Sequence, residues 1–301
     1  MSSMTPSSGA QPAPARSGQS QAGPTALRIV LGAQLRRMRR ECGISREDAG
    51  RAIRGSHAKI TRLERGQVGA KERDLSDLLT LYHVLDEDAR AEFFRLAQQA
   101  NQPGWWHQYS DVLEEWFALH IGLEDAASLI RSYEVQLLPG LLQTRRYAHA
   151  LSRLGYPDAS EETLARLVEL RMQRQQLLLR EDAPKLWVVF DESALCRPFG
   201  GRDVMREQLT HLLEMAELPH VTLQVAPLVS STAAGGSPIT ILRFNEPDIP
   251  DKIYLEHWGS AVYLDKQPDI DRYTLIMDTL SAEAQLPEES LKRIHEIRQG
   301  L

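Results

Sequence analysis

The chain has 301 residues, 42% hydrophobic and 25% charged, with a net charge of −6. That length allows two domains with substantial cores, and the composition excludes collagen-like repeats and wholesale disorder. No apolar run approaches the roughly 20 residues of a membrane span. Two cysteines, Cys42 and Cys196, are too few for a disulfide framework or a cysteine zinc site.

Residues 1–25 are rich in Ser, Pro, Gly, Gln and Ala and predict a disordered tail. Met1 to Pro24 carries one charge, Arg16, and no apolar core, so no signal peptide is expected and a cytoplasmic location follows. The next segment is strongly basic. Leu27 to Arg73 holds 13 Lys/Arg against 5 Asp/Glu, a net of +8, whereas Asp74 to Leu301 holds 21 against 36, a net of −15. A basic surplus confined to one segment suits phosphate contact there and argues against nucleic acid wrapping the whole chain.

Leu31, Leu35, Met38 and Cys42 recur at helical spacing, and Gly43 stands where a helix would stop. The intervening Arg36, Arg37, Arg39 and Arg40 read either as a solvated face or as phosphate contacts, with Arg36 and Arg40 the candidates for the second role. Ser45 and Ser56 then open two short helices, the first with a capping-box partner at Asp48. Ala49, Ala52 and Ile53, then Ile60 and Leu63, give each helix one inward face, leaving His57, Ala58, Lys59, Thr61 and Arg62 outward on the second. This pattern predicts a helix-turn-helix whose second helix is set for a DNA major groove. Leu75, Leu78, Leu79, Tyr82 and Leu85 predict a fourth helix, and Phe93, Phe94 and Leu96 a fifth, which makes residues 26–100 an all-α domain.

Residues 103–301 predict a second domain, helical at first and then carrying a small mixed sheet, so that the fold class is α+β overall. Trp105, Trp106, Tyr109 and Trp116 crowd the junction and read as a packed hinge or as an effector pocket for a small molecule. Helical stretches are expected through Leu123–Tyr133, to about Leu154, and from the Pro157–Glu161 cap to about Arg180. Strands are expected at Leu186–Phe190, Val221–Val225, Pro238–Phe244, Ile253–His257 and Ala261–Leu264, with helices at 204–218, 270–282 and 288–297.

Asp191, Glu192, Glu256, His257 and Asp265 fall at strand ends. They read as caps and solvated ends, or as an acid-base or metal set, with Asp191, Glu192 and His257 the residues that would make the domain a metal-dependent hydrolase. No H-E-x-x-H, Walker A, G-x-G-x-x-G or G-x-S-x-G motif is present, and Cys196 reads as a small buried residue. No catalytic residue, metal or cofactor is therefore expected.

The run from Ile44-Ser45-Arg46-Glu47-Asp48 to Ile60-Thr61-Arg62-Leu63-Glu64-Arg65-Gly66 resembles the XRE, or Cro/phage-repressor-like, helix-turn-helix family. The resemblance implies base contacts from His57, Ala58, Thr61 and Arg62 and backbone contacts from Lys59 and Arg46. Arg46 departs from the usual Gln, and Ala49-Gly50 from the usual Leu-Ala, which predicts a less filled first helix. Further on, Gly104–Tyr109, Pro139–Thr144 with Tyr147-Ala148, Arg171–Gln175, Asp191–Leu195 and Leu223–Pro227 stand in the order seen in the actinomycete WhiJ-like regulators. That likeness implies a transcriptional regulator of double-stranded DNA with a sensing, dimerising or docking C-terminal domain. It also implies an antitoxin-like pairing with a small protein encoded by a neighbouring gene. One recognition helix reads few base pairs, so a homodimer on two half-sites is expected.

Overall fold

A computed structural model describes residues 23–229, 236–245, 249–257 and 259–301. Five helices come first: α1 (Pro24–Glu41), α2 (Arg46–Ala52), α3 (His57–Glu64), α4 (Glu72–Leu81) and α5 (Glu87–Ala100). The expected tail falls largely on residues 1–22, outside those described; Pro24 and Thr25 already belong to α1, and Thr25 is buried. Three of these helices start on a side-chain cap, with Ser45, Ser56 and Asp86 accepting from the amides of Asp48, Lys59 and Ala89. Leu31, Leu35, Ala49, Ile53, Ile60, Leu63, Leu75, Leu78 and Leu79 close into one core. Leu85 does not join it; it lies beyond α4 and is exposed.

α1 and α3 cross closely because Gly32 has no side chain: a Cβ there would lie 2.4 Å from the Leu63 carbonyl oxygen. α1 is also shared between two cores. Leu31 and Leu35 face the helical domain, while Ile29 packs with Leu123 and Ala127 of the second domain.

The second domain opens with a 3-10 turn (Trp105–Tyr109) and α6 (Glu115–Ala126), then β1 (Leu129–Glu134), α7 (Arg145–Gly155), α8 (Glu161–Gln175) and β2 (Lys185–Asp191). α9 (Glu192–Cys196), α10 (Arg202–Met215) and β3 (Val221–Ala226) follow. After them come β4 (Ile239–Arg243), β5 (Lys252–His257), β6 (Ser260–Leu264), α11 (Gln267–Glu283) and α12 (Pro287–Gly300). The mixed sheet runs β3-β2-β1-β4-β5-β6, parallel from β3 to β1 and antiparallel from β1 to β6. Two expectations are corrected here. β1 occupies residues read as helical, and it is an inner strand; α8 stops at Gln175 and tightens into a 3-10 turn (Gln176–Leu179).

Sheet alternation sorts the side chains. Ile130, Leu186, Val188, Phe190, Leu223 and Leu242 point to one face, filled by apolar residues of α6, α7, α10 and α12. Tyr133, Val189, Ile239, Ile241 and Ile253 point to the other, covered by Ile270, Met277 and Leu280 of α11. The β3 edge is closed, because the Gln285 amide donates to the Val225 carbonyl and Ser290 Oγ accepts from the Val225 amide. Cys196 is exposed at the end of α9, not buried as its residue type suggested.

Candidate DNA interface and interior polar site

The helix-turn-helix is held from inside by one carboxylate. Glu64, at the end of α3 and buried, accepts from Arg39 of α1 at 2.5 and 3.2 Å and from Arg46 of α2 at 3.2 Å. Arg39 also donates to the Ile44 carbonyl at 2.7 Å, so three helices and the turn before α2 meet at two side chains. Lys59 Nζ reaches Asp74 of α4 at 2.5 Å. Gly50 backs onto the turn: a Cβ there would meet the Ser56 carbonyl carbon at 3.0 Å, so the missing methyl is what lets α2 and the turn approach. Ala49 beside it is fully buried.

These contacts divide the candidate residues. His57, Ala58 and Arg62 stand exposed on α3, and Arg62 has no ion partner among the described residues. Thr61 is half-buried and its hydroxyl donates to the His57 carbonyl at 3.0 Å. Lys59 and Arg46, expected on the DNA backbone, are both engaged with carboxylates of their own domain, although the Arg46 side chain keeps 39% exposure. Arg40 is exposed; Arg36 is half-buried, its Nε is without a partner, and burial followed by the charges of Arg40 and Arg46 lowers its pKa. Two acids offset this, first Glu64 of the same domain and then Asp265 of the other; Asp265, after β6, pairs with Lys252 at 3.0 Å and feels the charges of Arg65 and Arg36.

Trp105, Trp106 and Tyr109 fill space with one another and with Ile121 and Leu170. The two indoles meet edge to face at 5.7 Å, and Tyr109 donates to Gln173 of α8 at 2.7 Å with Arg166 over its ring. Trp116 packs on Phe117, and its carbonyl accepts from the Tyr263 hydroxyl at 3.2 Å. Of the four residues expected to wall a pocket, Trp105, Trp106 and Tyr109 thus brace α6 and α8 through the 3-10 turn, while Trp116 ties α6 to β6. The strand-end acids are also engaged. Asp191 caps α9 and accepts from Tyr133; Glu192 pairs with Arg293 at 2.5 Å; Glu256 accepts from Tyr254 at 2.7 Å. His257 is exposed, and the described residues hold no group of three potential metal ligands.

The polar chemistry that sequence reading missed lies between the sheet and the pair α6 and α8. Arg174 of α8 donates to both Glu124 oxygens, one at 2.8 Å, and to His120 at 3.2 Å, with its guanidinium 5.0 Å from the Phe117 ring centroid. His120 stacks between Phe117 and Tyr254, 4.0 Å from the latter. Burial works to raise the Glu124 carboxyl, but Arg174 outweighs it and holds Glu124 down at about 2. Glu134, the last residue of β1, shows the opposite behaviour: burial, then the neighbouring Glu256 carboxylate, push it up to about 8. Glu134 ends β1, the strand at which the sheet changes from parallel to antiparallel pairing. The signal for this site was the Arg171–Gln175 run: in the structure Gln173, Arg174 and Gln175 each hold a different neighbouring segment.

A helix-turn-helix protein with a fused α+β domain is the class that these elements define. Residues 30–93 match a helix-turn-helix domain, and residues 117–296 match a family described as a domain of unknown function (DUF5753). The second match spans more than half of the chain, which belongs to that family. No curated protein and no solved structure matches it. No helix among the described residues is long and apolar enough to cross a membrane.

Proposed function

We propose that this protein is a sequence-specific transcriptional regulator that reads double-stranded DNA through α3 as a homodimer. The observation that carries the reading is the division of α3. Ile60, Leu63 and Glu64 bolt the helix down, while His57, Ala58 and Arg62 are left outward and free to meet base edges. Arg40 supplies an exposed charge, without an ion partner among the described residues, on the same basic domain. The +8 balance of Leu27 to Arg73 supports the same reading. The XRE and WhiJ-like assignments, a cytoplasmic location and partnership with a small protein encoded nearby belong to this proposal and rest on the sequence motifs. The C-terminal domain is read as a sensing or docking module and not as an enzyme, because Asp191, Glu192 and Asp265 are spent on partners within the fold.

Selection of bound duplexes from random DNA by the purified full chain, followed by sequencing, tests the proposal. The expected product is one motif in two halves, centred about one helical turn apart or a multiple of it. Recovery of no enriched motif would refute it.

A further inference from the structure

The charges between the sheet and helices α6 and α8 do not balance among themselves. Glu124 and Arg174 neutralise each other. Three more ionisable side chains bear on the same space without an ion pair among the described residues: Glu134 from β1, Glu256 from β5 and Arg171 from α8. Arg171 makes one hydrogen bond, to Ser152 at 2.6 Å. With both acids ionised the set carries one net negative charge, which either a proton on Glu134 or a bound monocation would cancel. A second, independent feature is a set of deeply buried polar atoms without hydrogen-bond partners among the described residues: Gln143 Oε1, Ser132 Oγ and His120 Nδ1, the last a donor because Nε2 accepts from Arg174, in residues that are 3–4% exposed. Ser132 shares the β1 face of Glu134, near enough to favour its anion without completing a hydrogen bond. Gln143 stands in the segment clamped to α8 by Gln175, and the His120 ring lies on Tyr254. The exposed Glu256 leaves a way in from solvent.

We propose that this compartment binds a small organic monocation, a primary ammonium group, seated between the Glu134 and Glu256 carboxylates beside the Tyr254 ring. An ammonium offers three donors to a site whose free groups are mostly acceptors, and an aromatic face favours it further. A metal ion fits less well, because two carboxylates fall short of the ligand number that a hard cation requires. The site goes beyond the DNA-reading proposal and does not depend on it. Glu134 surrenders its proton when the cation enters, so proton and ammonium compete for one position. Besides Glu256, the groups facing that exchange are Arg171 and Arg174 of α8, Glu124 and His120 of α6, Tyr147 of α7, Tyr254 of β5 and Tyr263 of β6.

Titration calorimetry of the full chain with n-butylamine hydrochloride tests this, with sodium and magnesium chloride as controls. The expected result is saturable 1:1 binding of the amine alone, with proton release seen as heat that depends on the buffer. Since only ionised Glu134 binds, affinity should rise about tenfold per pH unit below 8 and level off above it. Glu134→Gln should weaken binding at least tenfold and flatten the pH profile. Glu256→Gln, at an exposed position, should also weaken binding and keeps the test valid if the first variant folds poorly. Saturable binding of magnesium instead of the amine, no saturable heat at any pH, or wild-type affinity in both variants would overturn the proposal. α3 is untouched in these variants, so this outcome is separate from that of the DNA selection.

Discussion

The buried pair of Glu124 and Arg174 allows a quantitative test of the second domain. Glu124→Gln keeps the shape of the side chain and removes its charge, leaving the buried Arg174 guanidinium without the carboxylate it is directly hydrogen-bonded to. Moving the Glu124 carboxyl from 4.5 to about 2 corresponds to roughly 3 kcal/mol of folding free energy. Breaking one half of a buried ion pair costs about 3–5 kcal/mol by general experience. The two figures agree in size, so the variant should lose about 3–5 kcal/mol at pH 7. The pH dependence has a definite sign. A carboxyl depressed in the folded state contributes fully above its unfolded pKa of 4.5, and that contribution fades as pH falls toward 2. The gap between wild type and variant should therefore shrink from pH 5 downward, because a protonated glutamic acid and the glutamine that replaces it are near-isosteres. Urea unfolding of the full chain, followed by circular dichroism at pH 7 and at pH 3, measures both. A loss below about 1 kcal/mol at pH 7, or a gap that persists unchanged into acid, would refute the reasoning.

Arg62→Ala should weaken operator binding by about 1–3 kcal/mol and relax preference at one base position; an unchanged selection profile would remove Arg62 from the reading set. Lys59 is held by Asp74, so Lys59→Ala should leave the salt dependence of DNA binding nearly unchanged, whereas Arg40→Ala should reduce its slope by about one unit. Titrations of a fixed duplex across salt concentrations would settle both, and the reverse order of effects would contradict the ion pair. Gly32→Ala drives a methyl into the Leu63 carbonyl and should destabilise the fold by about 1–3 kcal/mol, read as a lowered thermal midpoint.

The helix-turn-helix was legible because its information is local. Ser45 and Ser56 cap as their spacing indicates, and Ile53, Ile60 and Leu63 fall inside as periodicity requires. β1 was not legible. α6 runs almost into it, and its alternation is blurred by burial on both faces, where Arg131 and Ser132 lie as deep as Ile130 and Tyr133. An inner strand carrying polar side chains reads as a continued helix when nothing but periodicity is available. The interior polar site was hidden for a different reason. Glu124, Glu134, Arg174 and Glu256 span more than a hundred residues of sequence, and pairing across separate elements leaves no spacing to find. Lys59 shows the converse limit: its position on α3 is plain in the sequence, but Asp74, which decides what its charge can do, lies a helix away.

The two sites meet on one pair of helices. α6 presents His120 and Glu124 to the polar compartment on one side and packs through Leu123 against Ile29 of α1 on the other. α1 in turn abuts α3 at Gly32 and holds Glu64 of α3 through Arg39. The second link between domains runs from β5 and β6, where Asp265, paired with Lys252, interacts with the charges of Arg36 and Arg65. β5 also carries Tyr254 and Glu256 of the compartment. Both routes start at residues of the polar compartment and end at the helices framing α3. Any free energy passed along them acts equally in reverse, so a ligand that alters DNA affinity by some factor must itself bind DNA-loaded protein with an affinity changed by that factor. Calorimetric amine affinity measured with and without a bound operator duplex therefore reports the coupling without any assay of transcription, and equal affinities in the two states would show that the compartment and α3 are energetically independent.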